Sequence, residues 1–279
     1  MTRLIADSGA TKTDWRLIEG KKTIMSLQSG GINPAVMGAD SVGHILREVK
    51  SSLEGASPGE IFFYGAGLTS TEFETTLKGF FPSSEIHCES DLKGACRALF
   101  SDSPGIAVIL GTGSNSCEWN GSSTTRHTDC GGFILGDEGS ASNIGKMLLS
   151  DYIKGLVPGP LASELYDWYS NKYNEALNYP AIVRRVYRDK TPSAWIASFG
   201  LFITERLRDP YLESLVKTGL EAFAERNLYA YDRSLPVGVS GSFGLACEGL
   251  VREVFSAKGY TVAKFVKSPV EALAAYHSR

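Results

Sequence analysis

The stretch Ala6 to Trp15, "ADSGATKTDW", decides how the rest of the chain is read. The short apolar run "RLIAD" enters it, and after "SGATKT" an alternating strand pattern resumes in "DWRLIEG". Apolar run, turn residues and alternation together predict a hairpin. In so tight a turn the backbone N–H groups of Ser8, Gly9, Ala10, Thr11, Lys12 and Thr13 can converge on one spot, which suits an anion such as a phosphate. Thr11 and Thr13 add hydroxyl donors, and Asp7, at the strand end, is placed to face a Mg²⁺ that phosphates bring with them. An ordinary hairpin turn has the same local pattern, so the weight of the motif depends on whether it recurs.

It recurs. "LGTGSNS", Leu110 to Ser116, is a second strand-to-turn segment, in which Gly111 and Gly113 allow close backbone approach and Thr112, Ser114 and Asn115 carry hydrogen-bonding groups. Gly9 and Gly113, and likewise Trp15 and Trp119, are 104 residues apart. A repeated order of elements is what a duplicated domain preserves. Between the two turns, "KKTIMSLQSG" predicts a third strand, "DSVGHILREVKSSL" a helix capped by Asp40 or Ser41, and "EIFFYGAG" a buried strand. "TSTEFETTLKGFF" then predicts a helix opened by Ser or Thr, "SEIHCES" a short strand and "DLKGACRALF" a helix. The order is βββαβαβα. Beyond Asp137 the chain is helix-rich, punctuated by Pro158, Pro160, Pro180, Pro192 and Pro210, before the strand–helix–strand–helix ending "LPVGVSG", "SFGLACEGLVREVFSAKG", "YTVAKFVKS", "PVEALAAYHSR". The expected architecture is α/β: two domains with mixed sheets flanking a central cleft, residues 1–103 and 104–267, with a helix at 268–279 packing back on the first.

Composition agrees with two domains. The 279 residues are 43% apolar, at about 100 to 200 residues per domain. A formal charge of −3 gives no basic footprint for nucleic acid or an anionic membrane. No apolar run is long enough to span a bilayer, and "MTRLIADSG" contains no signal-peptide core, so a cytoplasmic location is expected. The natural partner is a small molecule, and a homodimer stays open. Cys88, Cys96, Cys117, Cys130 and Cys247 form no CxxC pair and read as free thiols rather than a disulfide or metal framework. His44, His87, His127 and His277 show no ligand spacing, and neither a Walker A loop nor G-x-G-x-x-G occurs.

"DSGATKT", "GTGSNS", "GDEGSAS" and "GVSGSFG", in this order and spanning nearly the whole chain, resemble the sugar kinase, actin and Hsp70 superfamily. Within it they are most similar to the N-acetylglucosamine kinases and the related BadF/BadG-type ATPases. The resemblance implies two ribonuclease H-like (actin-like ATPase) domains, ATP and Mg²⁺ as cofactors, and a sugar as acceptor. It places Asp7, Gly9, Thr11, Thr13, Thr112 and Gly113 on the phosphates, with Asp7 also handling the metal, and Gly241 and Ser242 on the nucleoside. Asn33 of "GGINP", Ser114, Asn115 and Asp137 fall on the sugar. Asp91, in "ESDLKGACRAL", matches the acid that takes the hydroxyl proton, although aspartate at a helix start is also an ordinary cap.

The resemblance implies N-acetylglucosamine as acceptor, at its 6-hydroxyl. Glu138 is left between helix start and sugar contact. Three departures stand out, one being that Ser90-Asp91 stands where the family has an Asn-Asp pair before the catalytic helix. Gly131 replaces a tryptophan that the family places before "FILGDEGS", and Glu271 replaces a glycine in the C-terminal helix. They motivate the alternative of a BadF/BadG-type ATPase or regulatory ATP-binding protein without sugar transfer. The cysteines do not match the iron–sulfur pattern of the electron-transfer activators.

Overall fold

The computed structural model describes every residue except Thr69, Ser70 and Lys190; the Ser/Thr opening expected for the second helix lies partly outside the described residues. The first sheet takes β1 (Thr2–Ser8), β2 (Lys12–Glu19), β3 (Lys22–Gly30), β4 (Glu60–Gly65) and β5 (Glu85–Ser90), with α1 (Ala39–Ser52), α2 (Glu72–Phe80) and α3 (Asp91–Phe100) between and after the last strands. Its strand order is β3-β2-β1-β4-β5. The second sheet takes β6 (Gly105–Leu110), β7 (Ser114–Trp119), β8 (Thr124–His127), β9 (Val237–Ser240) and β10 (Val262–Val266), in the order β8-β7-β6-β9-β10 when read from its β8 edge.

The two orders are the same topology written twice. In each, an antiparallel meander of three strands is followed by two strands that join parallel to the first. Trp15 in β2 and Trp119 in β7 are both buried but do not match in register, because Trp15 stands opposite Ala6 in the third pair from the first turn and Trp119 opposite Gly105 in the sixth pair from the second. The duplication is real in the strand order, although the 104-residue offset of glycine and tryptophan is not its structural register. These are two actin-like ATPase domains with mixed sheets, and the extra helices belong to the second.

Those helices are α4 (Gly132–Leu135), α5 (Ala141–Ile153), α6 (Gly159–Tyr173), α7 (Tyr179–Arg188), α8 (Pro192–Ala197), α9 (Phe199–Thr204) and α10 (Pro210–Asn227), between β8 and β9. α11 (Ser242–Ala246) and α12 (Glu248–Ala257) separate β9 from β10, and α13 (Val270–His277) ends the chain. Within this helix-rich stretch the apolar segment "AWIASFGLFITERL" is divided between α8 and α9 at Ser198, whose hydroxyl donates to the Trp195 carbonyl at 2.6 Å. Such a back-bond competes with the helical ladder and bends it. Two expected caps also move. Gly38 precedes α1, leaving Asp40 in its first turn, and Ser90 caps α3 by accepting from the Lys93 N–H.

Helix α3 lies between the sheets. Leu92, Ala95, Cys96 and Leu99 pack with Ala107, Cys117 and Trp119 of the second sheet, while Ala98 packs with Ile5, Ile18 and Tyr64 of the first and with Leu273 and Ala274 of α13. Gly94 lets Tyr64 come close: an added Cβ would meet the Tyr64 Cβ at 3.0 Å. The Cys96 and Cys117 sulfurs lie 3.3 Å apart, both buried, and all five cysteines are free thiols. α13 contacts α3, β1 and β2, so the last helix rests on the first sheet. Glu271 pairs with Arg16 of β2 at 2.7 Å, which gives the residue at this unusual position a local partner.

Leu273 is fully buried in the cluster that joins α13 to α3. Leu273→Ala is expected to cost about 2–5 kcal/mol, read as a lowered guanidinium midpoint with unchanged slope. An unmoved midpoint would mean that α13 contributes nothing to holding the first sheet and α3 together.

Candidate active site

The two turns meet tip to tip. The Thr11 and Thr112 hydroxyls are 3.0 Å apart, although 101 residues separate them in sequence. In the first turn Gly9 N–H closes on the Lys12 carbonyl at 2.9 Å, and the Ala10 and Thr11 N–H groups have no partner among the described residues. In the second, Gly111 N–H closes on the Gly113 carbonyl at 3.0 Å, and the Thr112 and Gly113 N–H groups are free in the same sense. Four unpaired amides and two hydroxyls around one spot form a cradle for anionic oxygens. Thr13 does not add to it, because its hydroxyl is buried between Ser8 Oγ (2.8 Å) and the Gly30 carbonyl (3.1 Å) and braces the turn from inside.

The second turn is locked to the loop that follows α4. Ala141 and Ser142 N–H donate to the Gly111 and Thr112 carbonyls at 3.0 and 3.1 Å, and Ser140 caps α5. Asp137 has a left-handed φ of 56°, and its Oδ1 accepts the Ser114 N–H at 3.1 Å. A Cβ at 113 would lie 2.9 Å from both Asp137 carboxylate oxygens, so any larger residue there would push the carboxylate out of this position. Ser114 Oγ is buried with no partner, and Asp137 Oδ2 has none among the described residues. Unsatisfied buried polar atoms of this kind mark a place for a ligand. Glu138 turns away, to Arg226 and Asn227 of α10, each at 3.4 Å.

Gly131 and Gly132 both have left-handed φ, 70° and 65°. A Cβ on Gly131 would meet the Leu135 carbonyl carbon at 3.1 Å, so with its left-handed φ this backbone is strained by the aromatic residue that the family resemblance would put there. Asn33 lies in a loop tied to β1 by the Ile32 N–H, which donates to Ser8 Oγ at 2.9 Å. Its Oδ1 accepts the Ala35 N–H at 3.1 Å, and it packs where a Cβ on Gly67 would come within 2.0 Å. Gly241, with φ 122°, abuts the Leu110 carbonyl, which a Cβ there would approach to 2.3 Å; it thereby sets β9 against the second turn, with Ser242 exposed at the start of α11.

Three acids share the cleft. Asp7 is half-buried at the end of β1, and burial pushes its carboxyl up to about 7, helped by the charges of Asp14 and Asp91 and opposed by a hydrogen bond from Ser268. Asp91 is the first residue of α3. Burial raises its carboxyl too, against the Leu92 N–H, which it accepts at 2.8 Å, and the charge of His127. Burial likewise raises Asp137, against the Ser114 N–H and Lys146.

Sequence reasoning missed the groups that hold these acids. Ser268 Oγ lies 3.1 Å from Asp7 Oδ2 and 3.3 Å from Asp14 Oδ2, bridging neighbouring strands from the start of α13. Burial pulls Asp14 upward, but hydrogen bonds from Lys12 and Gln28, both at 2.8 Å, hold it below the usual range. Register made Asp14 findable, because it pairs directly with Asp7 across the hairpin. Nothing local marks Ser268. The half-buried carboxylate of Asp7, at the strand end that leads into the first turn, has the oxygen chemistry of a ligand for the Mg²⁺ that accompanies phosphates.

Two sheets of one topology with opposed glycine turns and an acid between them define the class: an actin-like ATP-dependent phosphotransferase. The chain is 34% identical, over 99% of its length and 98% of the other's, to a candidate N-acetylglucosamine kinase from Porphyromonas gingivalis, with a TM-score of 0.90. It belongs to that N-acetylglucosamine kinase-like family within the sugar kinase, actin and Hsp70 superfamily. A second candidate N-acetylglucosamine kinase, from Chromobacterium violaceum, shares the fold at 19% identity over 99% and 98% of the two chains (TM-score 0.75). So does a ROK family glucokinase from Streptomyces griseus solved with glucose and AMPPNP, at 12% identity over 100% and 97% (TM-score 0.57). No protein-family model matches the chain, and no curated protein does.

Asp7 yields a pH prediction. Its folded-state pKa of about 7 lies above the ordinary value of 3.8, so the folded state binds the proton more tightly. The stability this contributes is complete below about pH 4 and lost as pH rises through about 7. Asp7→Asn removes this component: the melting temperature of the variant minus that of the native protein, both nucleotide-free, is expected to increase between pH 5 and pH 8. A constant difference would show that Asp7 titrates normally.

Proposed function

We propose that this protein is a kinase that transfers the γ-phosphoryl group of ATP to the 6-hydroxyl of N-acetylglucosamine, with Asp91 as general base. The observation that carries the proposal is the half-buried, raised carboxyl of Asp91 at the start of α3, within the electrostatic field of Asp7 at the first turn. The family membership, shared with a candidate N-acetylglucosamine kinase, supports the choice of sugar.

The chemistry follows from what each group can do. The free amides of Ala10, Thr11, Thr112 and Gly113 and the two threonine hydroxyls bind the phosphate oxygens, and Gly241 with Ser242 borders the nucleoside side. Mg²⁺ held at Asp7 supplies positive charge to the phosphates when bound. On the other side Asp137 Oδ2 accepts from sugar hydroxyls, Ser114 Oγ and Asn115 Nδ2 have free hydrogen-bonding capacity, and Asn33, in the loop that Ile32 ties to Ser8, is the remaining sugar contact. Asp91 takes the hydroxyl proton as the sugar oxygen bonds to the γ-phosphorus and the bond to the ADP oxygen breaks. A raised carboxyl is a better base once ionised, and burial keeps competing water away.

The unpartnered Ser114 hydroxyl and free Asp137 oxygen favour sugar transfer over an ATPase with a decayed acceptor half, because idle buried polar groups are costly to keep. Asp91→Asn preserves shape and removes the base. It is expected to lower kcat for N-acetylglucosamine phosphorylation by about 10²–10⁴, with ATP affinity by calorimetry within about twofold. Unchanged turnover would remove Asp91 from the chemistry, and a native protein that phosphorylates no hexose or hexosamine would remove the kinase reading.

A further inference from the structure

His127, which its sequence neighbourhood left without a role, is the last residue of β8. Its Nε2 is 3.0 Å from Asn115 Oδ1. The same Oδ1 accepts the Ser116 N–H at 2.9 Å. A carbonyl oxygen has two lone pairs, so both are taken, while Asn115 Nδ2 has no partner among the described residues. A flipped amide would set Nδ2 against the Ser116 N–H, donor against donor. The Ser116 amide therefore chooses the orientation, and the imidazole holds it by occupying the remaining lone pair.

The histidine is itself fixed. Tyr231 OH accepts the Thr128 N–H at 3.0 Å and donates to the Ser116 carbonyl at 2.9 Å, clamping the backbone next to His127 to the backbone next to Asn115. Asp129 faces the other ring nitrogen at 3.5 Å, although it is fully exposed. Asp91 lies within the electrostatic reach of the same ring.

We propose that His127 is a positioning residue that locks the Asn115 side chain as a hydrogen-bond donor, so that the acceptor sugar is recognised at this point through an oxygen lone pair. The inference rests on the sugar-kinase reading above and deepens it. Asp137 accepts and Asn115 donates, and the pair specifies a sugar presenting a hydroxyl proton to one and an oxygen acceptor to the other.

Steady-state kinetics with N-acetylglucosamine and Mg-ATP test this on His127→Ala, His127→Gln and Asn115→Asp, together with the ¹⁵N relaxation of the Asn115 side-chain amide in the ligand-free native and His127→Ala proteins. His127→Ala is expected to raise the sugar KM about five- to tenfold, the worth of one hydrogen bond, with the ATP KM unchanged. His127→Gln, which restores a donor near the Nε2 position, is expected to recover most of that loss. Asn115→Asp, equal in size but unable to donate, is expected to lose more than either. In the relaxation data the Asn115 amide is expected to be rigid in the native protein and mobile in His127→Ala. A sugar KM that stays constant in His127→Ala, or that rises in step with the ATP KM, overturns the proposal. If the native protein phosphorylates no sugar, the kinase reading fails by itself, and the relaxation data still decide: an amide equally rigid in both proteins overturns the positioning role, and loosening confined to His127→Ala upholds it.

Discussion

Helix α3 is packed on two sides at once, and the geometry of the cleft follows from that. Cys96 and Leu99 are committed to the second sheet and Ala98 to the first, so the helix can neither rotate nor slide without opening a cavity in one of them. Small residues make the double contact feasible, with Gly94 accepting the Tyr64 ring edge and Ala95 and Ala98 keeping the axis close to both sheets. Asp91 is the first residue of this helix, behind a serine cap. Its position relative to both turns is therefore set by core packing, which is stiffer than any loop.

The turns are held with similar economy. Carbonyls of the second turn are tied to the start of α5, and the loop carrying Asn33 is tied to the end of β1, which leaves the tip amides free to meet a ligand. Ser268 links Asp7 to Asp14 and thereby joins the last helix of the chain to the first strand. Three carboxyls raised by burial in one cleft destabilise the ligand-free protein, as is usual where a site is prepared for charge that arrives later. Gly131 fits the same picture. The left-handed turn it allows lies just ahead of Asp137, and that backbone conformation disfavours an aromatic side chain.

Much of this was legible in the sequence because it depends on local patterns. The hairpins, the βββαβαβα order and the two glycine turns follow from alternation and turn chemistry, and the recurrence of a strand-to-turn segment pointed to the duplication, although the Gly9/Trp15 and Gly113/Trp119 spacing does not follow its register. Helix ends were less legible. Ser90 and Asp91 are equally good caps by composition, and only the backbone conformation separates them. The break at Ser198 was hidden because a serine inside an apolar helical run looks harmless until its hydroxyl turns back on the Trp195 carbonyl.

By itself the sequence determined the two-fold architecture, the turns and the acids, since each is encoded within about ten consecutive residues. Tertiary structure alone decided which side chains support them. Ser268 reaches Asp7 across 261 positions, Thr112 meets Thr11 across 101, and His127 holds Asn115 from the neighbouring strand. It also decided that the Thr13 hydroxyl braces the turn from within, and that Glu138 belongs to α10. The physical reason is that a hydrogen bond is satisfied by whatever the packed sheets bring within 3 Å or so, and periodicity along the chain carries no record of that partner.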